Sequence, residues 1–186
     1  MIGAVLAGGQ GSRLGNGSKP AAQLAGRPLI SYPLAALREV CDRVAVVCKR
    51  GTELPELESA ERWDEPDEPR HPLTGIVHAL EQAAGEPVLV CAADMPFVTA
   101  DACRSLLAAP NKALAVVAAA DGVLQPTFGV YAAEALDTLA TAEPDASLTS
   151  TVERLNPTRV AFPMRLVQSV NTPEDLAEAE RVLAAA

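Results

Sequence analysis

The sequence predicts an α/β fold of three α/β/α layers around a mostly parallel open sheet. Three observations predict it. Short apolar runs recur along the 186 residues, amphipathic helical patterns separate them, and the run Val88–Cys91 is apolar without interruption. Strands alternating with helices build parallel sheets with helices on both faces, and an unbroken apolar strand suits a position covered on both sides. The length fits one domain spanning residues 1–186, large enough to bury most of its apolar surface. Hydrophobic residues make up 49% of the chain but only six are aromatic, so the core must be aliphatic.

The first strand is Ile2–Leu6, which breaks into a glycine-rich loop. A helix follows over Ile30–Val40, then a strand over Val44–Cys48 and a helix over Leu73–Ala84. Beyond the central strand Val88–Cys91, Thr99 with Asp101 marks the start of a helix over Ala100–Ala108. Strands at Leu114–Ala118 and Thr127–Tyr131 precede helical patterns at Ala133–Thr141 and Leu148–Leu155. Two further runs, Arg159–Phe162 and Leu166–Val170, read as strands. The last helix, Pro173–Ala185, opens on Thr172-Pro173-Glu174-Asp175, with an N-cap, proline at the first helical position and acids in the first turn.

Charge and composition exclude several roles. The formal net charge is −9, but residues 1–50 carry seven Lys/Arg against two acids, whereas residues 53–69 carry eight acids against Arg62 alone. An acidic chain without a basic, aromatic-laced stripe argues against nucleic acid, and the basic amino-terminal part suits a small polyanion. The acidic stretch reads as a solvated surface excursion. No run approaches the roughly 20 apolar residues of a membrane span, and residues 1–20 lack the basic and apolar regions of a signal peptide; a cytoplasmic protein with no membrane partner is expected. Cys41, Cys48, Cys91 and Cys103 show no metal-ligand spacing with His71 or His78 and read as reduced, mostly buried small hydrophobes.

Residues 4–20, AVLAGGQGSRLGNGSKP, carry the chemistry. Gly8, Gly9 and Gly11 let backbone N–H groups approach a ligand, successive N–H groups form an anion-binding concavity, and Arg13 and Lys19 can grip phosphate oxygens. The spacing fits neither a P-loop, since Lys19 follows Ser18 and precedes Pro20, nor a dinucleotide fingerprint, whose third glycine would fall on Leu14. Ligands collect beyond the carboxyl ends of strands in open sheets. The loop follows the first strand, and Asp94 follows Val88–Cys91, so both fall on one edge. A carboxylate there can hold a divalent metal between phosphates.

The pattern L-A-G-G-x-G-x-R-L-G followed by Lys19 resembles the signature loop of nucleotidyltransferases, and in detail that of the molybdenum cofactor guanylyltransferase family. The resemblance runs from Ile2 to about Leu183. It implies a nucleotide-diphospho-sugar transferase (glycosyltransferase-A-like) fold and transfer of GMP from GTP to the terminal phosphate of molybdopterin, with release of pyrophosphate. By the same resemblance Leu6, Ala7, Gly8 and Gly9 hold the nucleotide, Arg13 and Lys19 neutralise phosphates, and Asp94 binds Mg²⁺. Asn171 stands where relatives place a second metal ligand or a polar contact near it; a turn residue before the capped helix is the alternative. Counting back seven residues from His71-Pro-Leu-Thr-Gly75 places the family's nucleotide-contacting carboxylate at Asp64, with Asp67 a rival. Gln125–Tyr131 would line the acceptor side.

Two departures stand out. His71 replaces the family's usual glycine, and Val47 or Cys48 occupies a position where the family commonly presents Asn to the nucleotide. The base therefore stays open between guanine and cytosine, and the acceptor between the pterin and another small phosphorylated molecule. The resemblance also implies transient contacts with proteins of the cofactor pathway. An accessory protein that binds nucleotide without turnover belongs to a different class. Lys19 together with Asp94 argues for turnover.

Overall fold

A computed structural model describes residues 1–8, 19–57, 59–110, 113–143 and 146–185. Seven strands form one sheet: β1 (Ile2–Leu6), β4 (Arg43–Lys49), β5 (Glu61–Glu65), β6 (Val88–Ala92), β7 (Ala115–Ala120), β8 (Val123–Tyr131) and β9 (Thr158–Ala161), in the order β5-β4-β1-β6-β8-β7-β9. A separate hairpin pairs β2 (Gln23–Leu24) with β3 (Arg27–Pro28). Its turn residues Ala25 and Gly26 both have positive φ, 48° and 76°, as a tight two-residue hairpin demands. All neighbours in the large sheet run parallel except β8, which is antiparallel to both β6 and β7.

The helices cover both faces. On one, α1 (Ser31–Arg38) and α3 (Ala100–Ala108) bury Leu34, Leu37, Cys103 and Leu106 against Val5, Val46 and Cys91. On the other, α2 (Pro72–Gln82), α4 (Ala135–Ala140) and α5 (Leu148–Glu153) bury Ile76, Leu80, Leu139 and Val152 against Ala4, Val47 and Val90. Successive β-strand side chains point to opposite faces, which is why Val46 and Val47 belong to different clusters. A third, smaller cluster packs Leu24 and Leu29 against Val170 and Ala179 of the terminal helix α6 (Pro173–Ala184). No described helix is long and apolar enough to cross a membrane. All four cysteines are free, and burial pushes the Cys48 thiol up to about 11 and the Cys103 thiol to about 12.

Three expectations need correction. Leu166–Val170 is not a strand: Met164–Val167 is a 3₁₀ turn, and the buried Val167 and Val170 are spaced by three, the period of such a turn. The acidic stretch is not merely a solvated excursion, because its residues Glu61–Glu65 form the edge strand β5, paired with β4. The expected strand at Thr127 begins at Val123, where the turn Asp121-Gly122 reverses the chain from β7 into β8.

Candidate nucleotide site

Strands β1, β4, β5 and β6 deliver their carboxyl ends to one edge of the sheet. Register places Leu6 between Val47 and Ala92, and two backbone bonds extend the ladder past the strand ends. The Ala7 N–H donates to the Val47 carbonyl at 2.7 Å, and the Ala93 N–H donates to the Leu6 carbonyl at 2.9 Å. Because β8 runs in the opposite sense, with Phe128 beside Cys91, its Thr127 reaches the same edge. A cavity of about 230 Å³ opens there. It is bounded by Leu6–Gly8 and Lys19 on the loop side, by Glu65, Arg70, His71 and Gly75 on one wall, and by Asp94, Thr127 and Ser169 on the other.

On the second wall Lys19 is held between two partners. Its Nζ donates to Asp94 Oδ2 and, at 2.7 Å, to Asn171 Oδ1. A turn fixes each member. Lys19 opens a 3₁₀ turn whose Pro20 is buried and whose Pro20 carbonyl accepts from the Ile30 N–H. The Asp94 carbonyl accepts from the Val170 N–H at 2.8 Å, tying the end of β6 to the segment before α6. Asp175 Oδ2 then accepts from the Asn171 and Thr172 N–H groups at 2.8 and 2.9 Å, completing the capping box of α6. Asp94 Oδ1 is buried and has no hydrogen-bond partner among the described residues. A carboxylate oxygen left unpaired beside an ammonium is suited to a cation or a ligand donor, since such an atom is costly to bury otherwise.

The opposite wall carries a second buried ion pair. Glu65 closes β5 and is 6% exposed; Lys49 closes β4 and is 8% exposed, with its Nζ 3.4 Å from Glu65 Oε1. Burial pushes the Glu65 carboxyl up from its ordinary value, while Lys49 and His78 pull it back. Two glycines make room for this carboxylate. A Cβ on Gly8 would lie 1.8 Å from Glu65 Oε1, and one on Gly75 would lie 3.2 Å from Oε2. His71 caps α2, with Nδ1 accepting from the Leu73 N–H at 3.2 Å, and its backbone is extended at φ −134°. A residue with a side chain therefore replaces glycine here without strain.

The structure brings Leu6, Ala7, Gly8, Lys19 and Asp94 to one cavity, with Asn171 bonded to Lys19 at its margin. Gly9 and Arg13 lie outside the described residues. Asp64 does not reach the cavity: it is exposed and bonded to Arg62 Nε at 2.8 Å. Its neighbour Glu65 lines the cavity instead, and Asp67 is exposed. Val47 and Cys48 are both buried in the core, on opposite faces of β4, so neither side chain presents a polar group to a ligand. Among the described residues no group of three or more His, Cys, Asp or Glu could hold a metal; an ion here would depend on Asp94, Asn171 and oxygens of the ligand itself.

Residues 3–160 match the model of the MobA-like NTP transferase domain. The chain belongs to that family. As a MobA-like protein it is 32% identical over 195 residues to a molybdenum cofactor guanylyltransferase of Cereibacter sphaeroides, covering 98% of this chain and 97% of the relative. It is likewise 32% identical to the enzyme of that name from Rhizobium leguminosarum bv. trifolii, covering 100% and 94%. Molybdopterin-guanine dinucleotide biosynthesis protein A from Archaeoglobus fulgidus has the same fold, with a TM-score of 0.79 at 27% identity over the whole of both chains. The fold of 2-C-methyl-D-erythritol 4-phosphate cytidylyltransferase from Thermus thermophilus superposes with a TM-score of 0.73 at 20% identity, covering 99% of this chain and 98% of that one. The MobA-like fold is thus the nucleotide-diphospho-sugar transferase type expected from the sequence.

Proposed function

We propose that this MobA-like protein is a Mg²⁺-dependent guanylyltransferase that joins GMP from GTP to the terminal phosphate of molybdopterin. The observation that carries the reading is the Lys19–Asp94–Asn171 cluster beside Gly8, with one oxygen of Asp94 left unpaired. An oxygen of the acceptor phosphate attacks the α-phosphorus of GTP, and the bond to the bridging oxygen breaks with its electron pair leaving on pyrophosphate. Lys19 neutralises the α-phosphate, and Arg13 the β- and γ-phosphates. Mg²⁺ held by Asp94, with Asn171 as a second oxygen, would supply further charge neutralisation between the phosphates. The backbone of Leu6–Gly9 holds the nucleotide, and Glu65 takes the carboxylate contact expected of Asp64. Thr127 and Ser169 face the acceptor. Catalysis is by positioning and electrostatics, with no covalent enzyme intermediate. The reaction belongs in the cytoplasm.

A second reading rests on Val47 and Cys48. With Val47 and Cys48 offering no amide to the base, one contact is missing, and CTP becomes a competing donor for the same acceptor. A thermal-shift panel of GTP, CTP, ATP and UTP with Mg²⁺ separates the two. A nucleotide present at about 100 times its Kd stabilises by about 2.7 kcal/mol. We expect GTP to give the largest shift and pyrophosphate to be released only with Mg²⁺ and molybdopterin present. A clear preference for CTP overturns guanine, and binding without pyrophosphate release overturns the enzyme.

A further inference from the structure

Lys49 has no role in the phosphate chemistry proposed above, yet it is among the most buried cations of the described residues. Its ammonium has three N–H donors and three acceptors nearby: the Pro66 carbonyl, the Pro69 carbonyl at 3.4 Å and Glu65 Oε1 at 3.4 Å. All three lie on one stretch, the end of β5 and the loop that leads into α2. That stretch forms a wall of the cavity through Glu65, Arg70, His71 and Pro72. Pro66, Pro69 and Pro72 have no N–H, so the segment has few donors with which to build a ladder of its own. Donors from neighbouring elements hold it instead: Thr74 of α2 donates to the Pro69 carbonyl at 3.0 Å, and Lys49 to the Pro66 carbonyl.

The pair is also expensive as a purely structural device. Two buried charges of this kind are often no more stabilising than apolar residues of the same volume. Here Glu65 Oε2 is buried with no hydrogen-bond partner among the described residues and sits beside Gly75 of the cavity wall. Lys49 thus satisfies one carboxylate oxygen and leaves the other, buried beside Gly75, without a donor among the described residues.

We propose that Lys49 is a positioning residue for nucleoside recognition: it clamps the Pro66–Pro69 loop and holds Glu65 as an anion whose free oxygen accepts from N–H or O–H donors of the nucleoside. The inference rests on the nucleotide reading of the cavity. The charged and titratable groups near Glu65 are Lys49 and Cys48 from β4 and His78 from α2, with Arg70, His71, Lys19 and Asp94 lining the same cavity; the loop after β1 contributes the uncharged Gly8.

The test uses the full chain, GTP with Mg²⁺, and the variants K49M, K49R, E65Q and K49M/E65Q. In ligand-free protein, carbon NMR should find the Glu65 titration in K49M moved to higher pH. Calorimetric titration should find GTP bound about tenfold more weakly by K49M while Glu65 is protonated, with affinity recovering as pH rises and Glu65 ionises. E65Q should lose a similar factor without that recovery, the double variant should be no worse than E65Q, and K49R should restore part of the affinity. In turnover the loss should fall on KM and leave kcat nearly unchanged. Equal GTP affinity in K49M and the native protein, or losses that simply add in the double variant, would overturn the inference alone. A native protein that binds no nucleoside triphosphate overturns the reading of the cavity and this inference with it. If K49M does not fold, E65Q and K49R decide: native-like GTP affinity in E65Q overturns the proposal.

Discussion

At the residue scale two carboxylates line the cavity, Asp94 and Glu65, each with one buried oxygen that has no partner among the described residues. The place of Asp94 at the cavity was legible in the sequence, because an apolar strand ends and a carboxylate follows it on the edge where the loop lies. Lys19 was legible through its place after the glycine loop. Glu65 was not, because seven residues counted back from His71 land on Asp64. Asp94→Ala should cut pyrophosphate release by about a thousandfold, comparable to deleting a strong electrostatic contact to the reacting group, with native circular dichroism retained. Unchanged turnover at saturating Mg²⁺ would remove Asp94 from the reaction. Gly8→Ala forces its methyl into Glu65 Oε1. Overpacking of this kind costs about 1–3 kcal/mol, and urea unfolding should register it along with weakened GTP binding.

At the element scale, β5 explains why the acidic stretch misled. Strand side chains alternate: Trp63 and Glu65 point inward and are buried, whereas Arg62 and Asp64 point outward and pair with each other. Once the stretch is seen as a strand, the lone Trp63 sets the parity and selects Glu65. Five residues with four charges hide that pattern, and only pairing with the buried β4 makes a strand of them. The start of α6 is the opposite case, since Thr172-Pro173-Glu174-Asp175 declares its cap outright. That cap also aims Asn171 at Lys19. Thr172→Ala should cost about 1 kcal/mol and weaken nucleotide binding through Asn171, both measurable by thermal unfolding with and without GTP. Hydrogen bonds from the Asn171 and Thr172 backbone hold the Asp175 carboxyl below its ordinary value. A depressed carboxyl contributes stability above its unfolded value and loses it as pH falls through the folded one. Acid titration of the native protein should therefore lose a step of stability that Asp175→Asn lacks.

At the scale of the whole molecule, burial of Glu65 sets function against stability. Its carboxyl is raised in the fold, so the contribution is complete below the unfolded value and is lost as pH rises through the folded value. The Tm difference between Glu65→Gln and the native protein should move in favour of the variant from about pH 4.5 upward, whatever the offset at the start; a flat difference in calorimetry would contradict this. The sheet order that produced both carboxylates has another consequence. One wall of the cavity belongs to β5, the segment after it and α2, the other to β6, β8 and the segment before α6, and they meet at β1 and its loop. The two walls are thus encoded by separate stretches of the gene, one before residue 83 and one after residue 87. If the proposed function holds, a lineage could replace the wall after residue 87 by recombination without disturbing the one before residue 83, so a graft of residues 88–185 from a relative with a different acceptor is a coherent way to retarget the fold.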